Sequence, residues 1–354
     1  MLYVSFEKRL RTSFYTRTGY NLLSILIAVV IGGVFLALVD ANPFSAYGSI
    51  VSEVLMTSYG WEDLLTKMSP LLLTGVAVAL AANMRIWNIG AEGQLYFGAV
   101  ITTWIALNYG STTSSAVIIP VMMAAAMVAG ALWAMIPAIL KAQYNVNEII
   151  TTLLMNYIAI SLVDYFVFGP WRDPKGLNFP ITEEFAASAN LPTFGESPVH
   201  IGILFGLALI VIIYFVLKKT NIGVQITITG DNPDAGFYSG INIKRLIIII
   251  LMVSGAIAGL AGMTEITGVQ HRLRQNISLG YGFTGVIIAW LARNHPLGIV
   301  FYTFFMAIVF VGGELLQINY GLPKAMIDLF QGMILFCVLG LEIFGAYKLK
   351  FKWV

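Results

Sequence analysis

Apolar runs of about 20 residues alternate with short polar stretches along almost the whole chain. The runs fall at 20–39, 69–87, 91–108, 116–140, 147–168, 199–217, 245–264, 280–293, 297–318 and 324–345. A bilayer core takes about 20 apolar residues wound as a helix. The pattern therefore predicts an all-α, polytopic protein of about ten transmembrane helices. Two runs fit poorly. Run 91–108 is short and broken by glycine, and 280–293 is too short to span alone. Both predict discontinuous helices. The first run is too long for a signal-peptide core and has no small-residue cleavage site, so it reads as an uncleaved span. One membrane domain is expected over 1–354, with its spanning core at 20–345.

Composition agrees. Of 354 residues, 58% are apolar and 11% charged, where a soluble domain carries about 25% charge. The 34 glycines suit helix packing in lipid. A net charge of +2 gives no footprint for nucleic acid. The lone Cys337 has no partner for an internal disulfide, and His200, His271 and His295 show no metal-ligand spacing.

The distribution of charge sets the orientation. Basic residues cluster at Lys8, Arg9, Arg11 and Arg17, at Lys141, at Lys218, Lys219, Lys244 and Arg245, and at Lys348, Lys350 and Lys352. With ten crossings all these clusters fall on one side, which the positive-inside rule makes cytoplasmic. Both termini and the loop 218–245 are then inside. The stretches 40–68 and 169–198 are outside and carry Glu53, Glu62, Asp63, Asp173, Glu183, Glu184 and Glu196. His271, Arg272 and Arg274 run against the rule, which predicts that their loop folds back onto the protein. Loop 169–198 is long for a helix connection and reads either as a docking surface or as a solvated connector.

Candidate chemistry concentrates in three places. In NMRIWNIGAEGQLYFG (83–98), Asn83, Arg85, Asn88, Glu92 and Gln94 sit between two apolar runs. Polar, glycine-interrupted backbone at membrane depth must line a cavity or be buried in protein. One reading is a broken helix on a solute pathway, with Asn88, Glu92 and Gln94 facing solute. The other is a cytoplasmic turn. In NVNEIITTLLMNY (145–157), Asn147 and Glu148 read as a helix cap, and Asn156 lines a pathway or bonds a neighbouring helix. The third, GYGFTGVIIAWLARNHPLG (280–298), reads as a second broken helix ending in a polar turn. Segments 88–107 and 276–293 share an Asn-Ile start, internal glycines and a tryptophan near the end, as in a weak internal repeat. No P-loop, zinc-protease or nucleophile-elbow motif is present.

One stretch is odd for its surroundings. GDNPDAGFYSGINIKR (230–245) lies between two apolar runs yet reads as a capped two-turn helix. Asn232 suits the N-cap, Pro233 the first turn, Asp234 the positive helix end and Gly240 a left-handed C-terminal position. It reads as a docking element or as a surface helix that closes a loop.

WNIGAEGQLYFGA (87–99), NVNEIITTLLMNYIA (145–159), GDNPDAGFYSGINI (230–243) and GFTGVIIAWLARNHPLG (282–298) together resemble the membrane subunits of bacterial ABC importers. The likeness is to the nucleoside and simple-sugar branch, related to the ribose-type permeases, and runs from about 20 to 345. It implies a permease in the bacterial cell membrane that works with a second, different permease subunit, an ATPase subunit and an extracytoplasmic solute-binding protein. ATP and Mg would belong to the ATPase, with no cofactor on this chain. Asn232, Pro233, Asp234, Ala235, Gly236, Tyr238 and Gly240 would form the coupling helix. The family usually has Ala-Ala where this chain has Ala235-Gly236, which weakens the helix by roughly 1 kcal/mol. Asn83, Trp87, Asn88, Glu92, Gln94 and Asn156 would line the pathway. The solute implied is a nucleoside, with a simple sugar as the alternative. From another class, an ion-coupled transporter would use Glu92 as its coupling carboxylate.

Overall fold

The computed structural model describes residues 2–8 and 14–353. Arg9 and Arg11 lie outside the described residues, as do the side chains of Lys8, Arg17, Lys348, Lys350 and Lys352. The chain forms two compact units, 1–61 with 308–354, and 62–307.

In the first unit, strand β1 (Leu2–Lys8) pairs antiparallel with β2 (Tyr347–Trp353), Leu2 opposite Trp353. This ribbon departs from the expected all-α pattern. Helix α1 (Phe14–Leu38) is followed by α2 (Pro43–Ser49) and a π-helical turn over 50–55. Asn42 caps α2, its side-chain oxygen accepting from the N–H groups of Phe44 and Ser45. The apolar parts of α1 and of the α2 segment bend by 117° as a broken span or re-entrant pair. The stretch 40–68 is therefore not a connector. Glu53 lies in the π-helical turn, and Glu62 and Asp63 lie near the start of α3 (Ser58–Ala82). Local capping at Asn42-Pro43 produces a helix that hydropathy alone does not register.

The second unit holds α4 (Ala91–Tyr109), α5 (Ser115–Tyr144), α6 (Glu148–Phe168), α7 (Gly202–Lys219), α8 (Asn221–Asp231), α9 (Pro233–Tyr238), α10 (Ile243–Glu265) and α11 (Tyr281–Leu291). A π-helical turn extends α10 to Gln270. Helix α12 (Pro296–Tyr320) leads back to the first unit, where α13 (Lys324–Ala346) packs on α1 with Phe330 6.1 Å from Phe35. The core of the second unit is α5 against α10. A Cβ on Gly130, Gly255 or Gly259 would overlap the facing backbone. Small residues at such a seam let two helices touch without side chains between them.

Every predicted apolar run contains a helix. Among the described residues, six helices are long and apolar enough to cross a membrane, or seven with the bent pair. Helices α4, α11 and α13 are not among them. Helix α3 ends at Ala82 rather than at 87, because Met84–Ile86 close a tight turn on Ala81 and Ala82.

The stretch 169–198 is held down. The Thr182 and Phe185 N–H groups donate to Leu273 and His271, and the Leu191 N–H donates to Thr267. Arg272 pairs with Glu184 at 2.9 Å. The basic residues that break the positive-inside rule thus lie against the acidic stretch predicted outside.

Candidate functional site

The chain between α3 and α4 leaves the helix after Ala82 and re-enters it at Ala91. Asn83, half-buried, donates from Nδ2 to the Ala79 carbonyl at 2.7 Å and closes the end of α3. Arg85 is exposed, with φ of 55°. Trp87 is half-buried, and its ring stacks on Trp290 of α11 at 5.1 Å.

From Asn88 onward the segment is buried, and its polar groups find protein partners. The Asn88 and Gln94 amides bond each other reciprocally at 2.8 and 2.9 Å. Asn88 Nδ2 also donates to Ser254 Oγ at 2.8 Å, and that hydroxyl donates to the Ala77 carbonyl at 2.6 Å. Asn156 clamps the turn from α6. Its Oδ1 accepts from the Gly93 N–H at 2.8 Å, and its Nδ2 donates to the Ile89 carbonyl at 2.9 Å. Buried backbone that leaves a helix must be satisfied by neighbours. These amides do that, and they tie α3, α4, α6 and α10 to one helix break.

Glu92 takes a different direction. Its carboxylate accepts from the Gly282 N–H at 2.6 Å and bonds the Phe283 N–H and the Ser278 hydroxyl. Glu92 lies in the first turn of α4, and Gly282 in the first turn of α11. Two positive helix ends therefore meet, and one carboxylate sits between them. A Cβ on Gly282 would lie 2.5 Å from Glu92 Cα, so only glycine admits this approach. The structure brings together Asn88, Gln94 and Asn156 around the break, turns Glu92 toward α11 instead, and leaves Asn83 and Trp87 at the end of the segment nearer the turn.

Asn147 and Glu148 form the expected cap of α6. Asn147 Oδ1 accepts from the Ile149 N–H at 2.9 Å, and Glu148 pairs with Lys141 at 2.9 Å.

Helix α9 is capped at both ends. Asn232 Oδ1 accepts from the Asp234 and Ala235 N–H groups at 2.9 and 3.4 Å. Gly240 takes φ of +76°. The Gly240 and Ile241 N–H groups close on Phe237 and Gly236, in a complete Schellman arrangement. Phe237 and Tyr238 are 71% and 87% exposed, so the helix presents aromatic rings outward. Gly236 is its buried residue, and a Cβ there would meet Thr229 Oγ1 of α8 at 3.0 Å. Packing on α8 supplies the reason for a glycine inside this helix.

Three partners escaped the sequence reading. Ser254 is the lone hydroxyl in the apolar run 246–262, and that isolation is a usable signal. Ser278 and Gly282 become site residues only through a contact 190 positions from Glu92, which no local pattern carries. His200, just ahead of α7, is 1% exposed, and its Nδ1 accepts from the Gly202 N–H at 3.1 Å. Burial, helped by the nearby His271, pushes His200 down to about 4. No group of three His, Cys, Asp or Glu is placed to hold a metal among the described residues.

The family model described as "Branched-chain amino acid transport system / permease component" matches residues 60–339. The chain is 37% identical to the glucose ABC transporter permease protein TsgB13 of Haloferax volcanii, over 93% of this chain and 89% of that one. It is 29% identical to the guanosine ABC transporter permease protein NupP of Bacillus subtilis, over 94% and 95%. It is also 29% identical to the nucleoside ABC transporter permease protein NupB of Lactococcus lactis, over 90% and 89%.

Proposed function

The chain belongs to the family of branched-chain amino acid transport system permease components, as a permease subunit of an ABC transporter, and we propose that it imports a nucleoside. It does so as one half of a pathway completed by a second, different permease subunit. A separate ATPase subunit binds and hydrolyses ATP with Mg, and an extracytoplasmic binding protein delivers the solute. The setting is a bacterial cell membrane crossed ten times, with both termini and 218–245 inside and 169–198 outside.

The observation that carries this reading is α9. A short helix fixed by caps at both ends, with Phe237 and Tyr238 turned outward, is built to enter a partner's groove. In this reading Asn232, Pro233, Asp234, Ala235, Gly236, Tyr238 and Gly240 make the coupling element. Asn83, Trp87, Asn88, Glu92, Gln94 and Asn156 belong to the pathway segment, but Asn88, Glu92, Gln94 and Asn156 are buried and bonded to protein, so they shape the segment from within rather than face solute. Asn88, Gln94 and Asn156 hold the helix break between α3 and α4, and Trp87 of the same segment stacks on Trp290. Alternating access then moves this broken segment as ATP closes the ATPase pair.

The nucleoside reading draws on NupP and NupB, whose names specify guanosine and nucleosides. A second reading, a simple sugar, is favoured by the higher identity to TsgB13, named for glucose. Tagging the chain in its host, extracting it in mild detergent and identifying what co-purifies tests the assembly. An ATPase present with the intact chain and lost on deleting 232–240 supports it. A chain that purifies alone and transports without ATP overturns it and leaves Glu92 as an ion-coupling group. Uptake of labelled guanosine resisted by excess nucleoside but not by excess glucose separates the two solutes.

A further inference from the structure

We propose that Thr229 and Gly230, at the end of α8, form the joint through which α9 positions the helix break at 83–90. The inference rests on the docking role proposed for α9. Helix α9 has one buried residue, Gly236, and it lies over Thr229, whose Oγ1 and Cα would be 3.0 and 3.5 Å from a Cβ there. Thr229 is buried, and its hydroxyl has no hydrogen-bond partner among the described residues. It serves there as a shape, not as a bond. The next residue, Gly230, is also buried. A Cβ on Gly230 would overlap the Asn83 carbonyl oxygen and lie 3.2 Å from Met84 Cα. Two adjacent residues thus touch α9 on one side and the end of α3 on the other.

The turn they touch is stiff. The Met84, Arg85 and Ile86 N–H groups all close on Ala81 or Ala82 at 2.9 to 3.3 Å, and Met84 and Ile86 are buried. Leu217, Asn294 and Pro296 border the same turn in a narrow crevice. Asn83 is five positions from Asn88, whose amide holds Gln94 and Ser254. A close-packed interior passes displacement on rather than absorbing it. A push on α9 therefore arrives at Asn83 through backbone-to-backbone contact and at Asn88 through a hydrogen-bonded turn. Such a route is established only by energetic coupling, and the residues allow that to be measured.

The experiment uses the whole transporter in lipid nanodiscs, with ATP hydrolysis read with and without solute-loaded binding protein. Gly230→Ala should keep the ATPase subunit and basal hydrolysis and lose solute stimulation at least tenfold. Gly48→Ala, where a Cβ meets nothing within 4 Å, should change neither. Gly236→Ala should lower stimulation, and Thr229→Ala in the same chain should restore it to within twofold of Thr229→Ala alone. Full stimulation in Gly230→Ala overturns the joint. So does an equal loss in Gly236→Ala with and without Thr229→Ala, and this pair decides the matter if Gly230→Ala fails to assemble. An unaltered chain that binds no ATPase overturns the docking role itself, and the joint with it.

Discussion

The Glu92 carboxylate accepts a 2.6 Å hydrogen bond from the Gly282 N–H, and so pins the first turn of α4 to the first turn of α11. The two segments that resemble each other in sequence, 88–107 and 276–293, meet at this bond. Glu92→Gln keeps the size but turns an amide donor toward N–H groups that need an acceptor. A hydrogen bond to a charged group contributes about 1.5–3 kcal/mol. The variant should lose about that much thermal stability in detergent and most of its transport. Glu53→Gln should lose little, since Glu53 is exposed and its carboxylate accepts from the neutral Asn319 amide at 3.1 Å. Equal melting shifts for the two would refute the pinning role.

Asn88 and Gln94 make a closed amide pair in a buried place. Removing one leaves the other with unpaired polar atoms, at a cost of about 1–3 kcal/mol. Asn88→Ala and Gln94→Ala should each destabilise by that amount. The double variant should fall short of their sum by about 1 kcal/mol or more, because the second change removes groups already orphaned. A double-mutant cycle by denaturant or thermal unfolding reads the difference, and strict additivity would show that the pair is not a unit.

How much of this was legible beforehand depends on the range of each interaction. The ten apolar runs and the caps at Asn147 and Asn232 are local, and each appears as a helix or cap in the structure. Hydropathy saw 83–98 as anomalous but left two readings open, since burial of Asn88 depends on Ser254, 166 positions away. It missed the bend after α1, where capping by Asn42 outweighs a run too short to read as a span. Gly236 looked like a defect in α9 until Thr229 appeared beneath it, a contact between elements that spacing within one helix does not encode.

The caps of α9 hold an exposed helix of six residues, too short to persist without them. Asn232→Ala removes the acceptor for two N–H groups and costs the helix about 1 kcal/mol. Gly240→Ala, at φ of +76°, costs about as much. Neither should move the melting point of the purified chain, because α9 lies at the surface. Each should weaken the ATPase subunit's affinity about fivefold, the factor that 1 kcal/mol represents. Titrating the ATPase subunit onto nanodisc-embedded permease measures this, and unchanged affinity in both variants would mean that helix order does not limit docking.

His200 gives the protein a pH dependence whose sign is fixed by its surroundings. It is buried, its Nδ1 accepts from the Gly202 N–H, and its ring lies against Gly268 of the π-helical turn after α10. Burial and the neighbouring His271 lower its folded value to about 4 from an ordinary 6.5. The unfolded chain then binds the proton first as pH falls. Stability is fully present above about 6.5 and declines through the window down to about 4, by up to about 3 kcal/mol. Below that window the folded protein is protonated too, and the loss levels off. Asn at position 200 can place its side-chain oxygen where Nδ1 accepts, yet does not titrate. His200→Asn should therefore flatten the melting temperature against pH between 4 and 6.5, whatever its effect on the absolute value. An unchanged slope would assign the acid sensitivity to groups elsewhere in the chain.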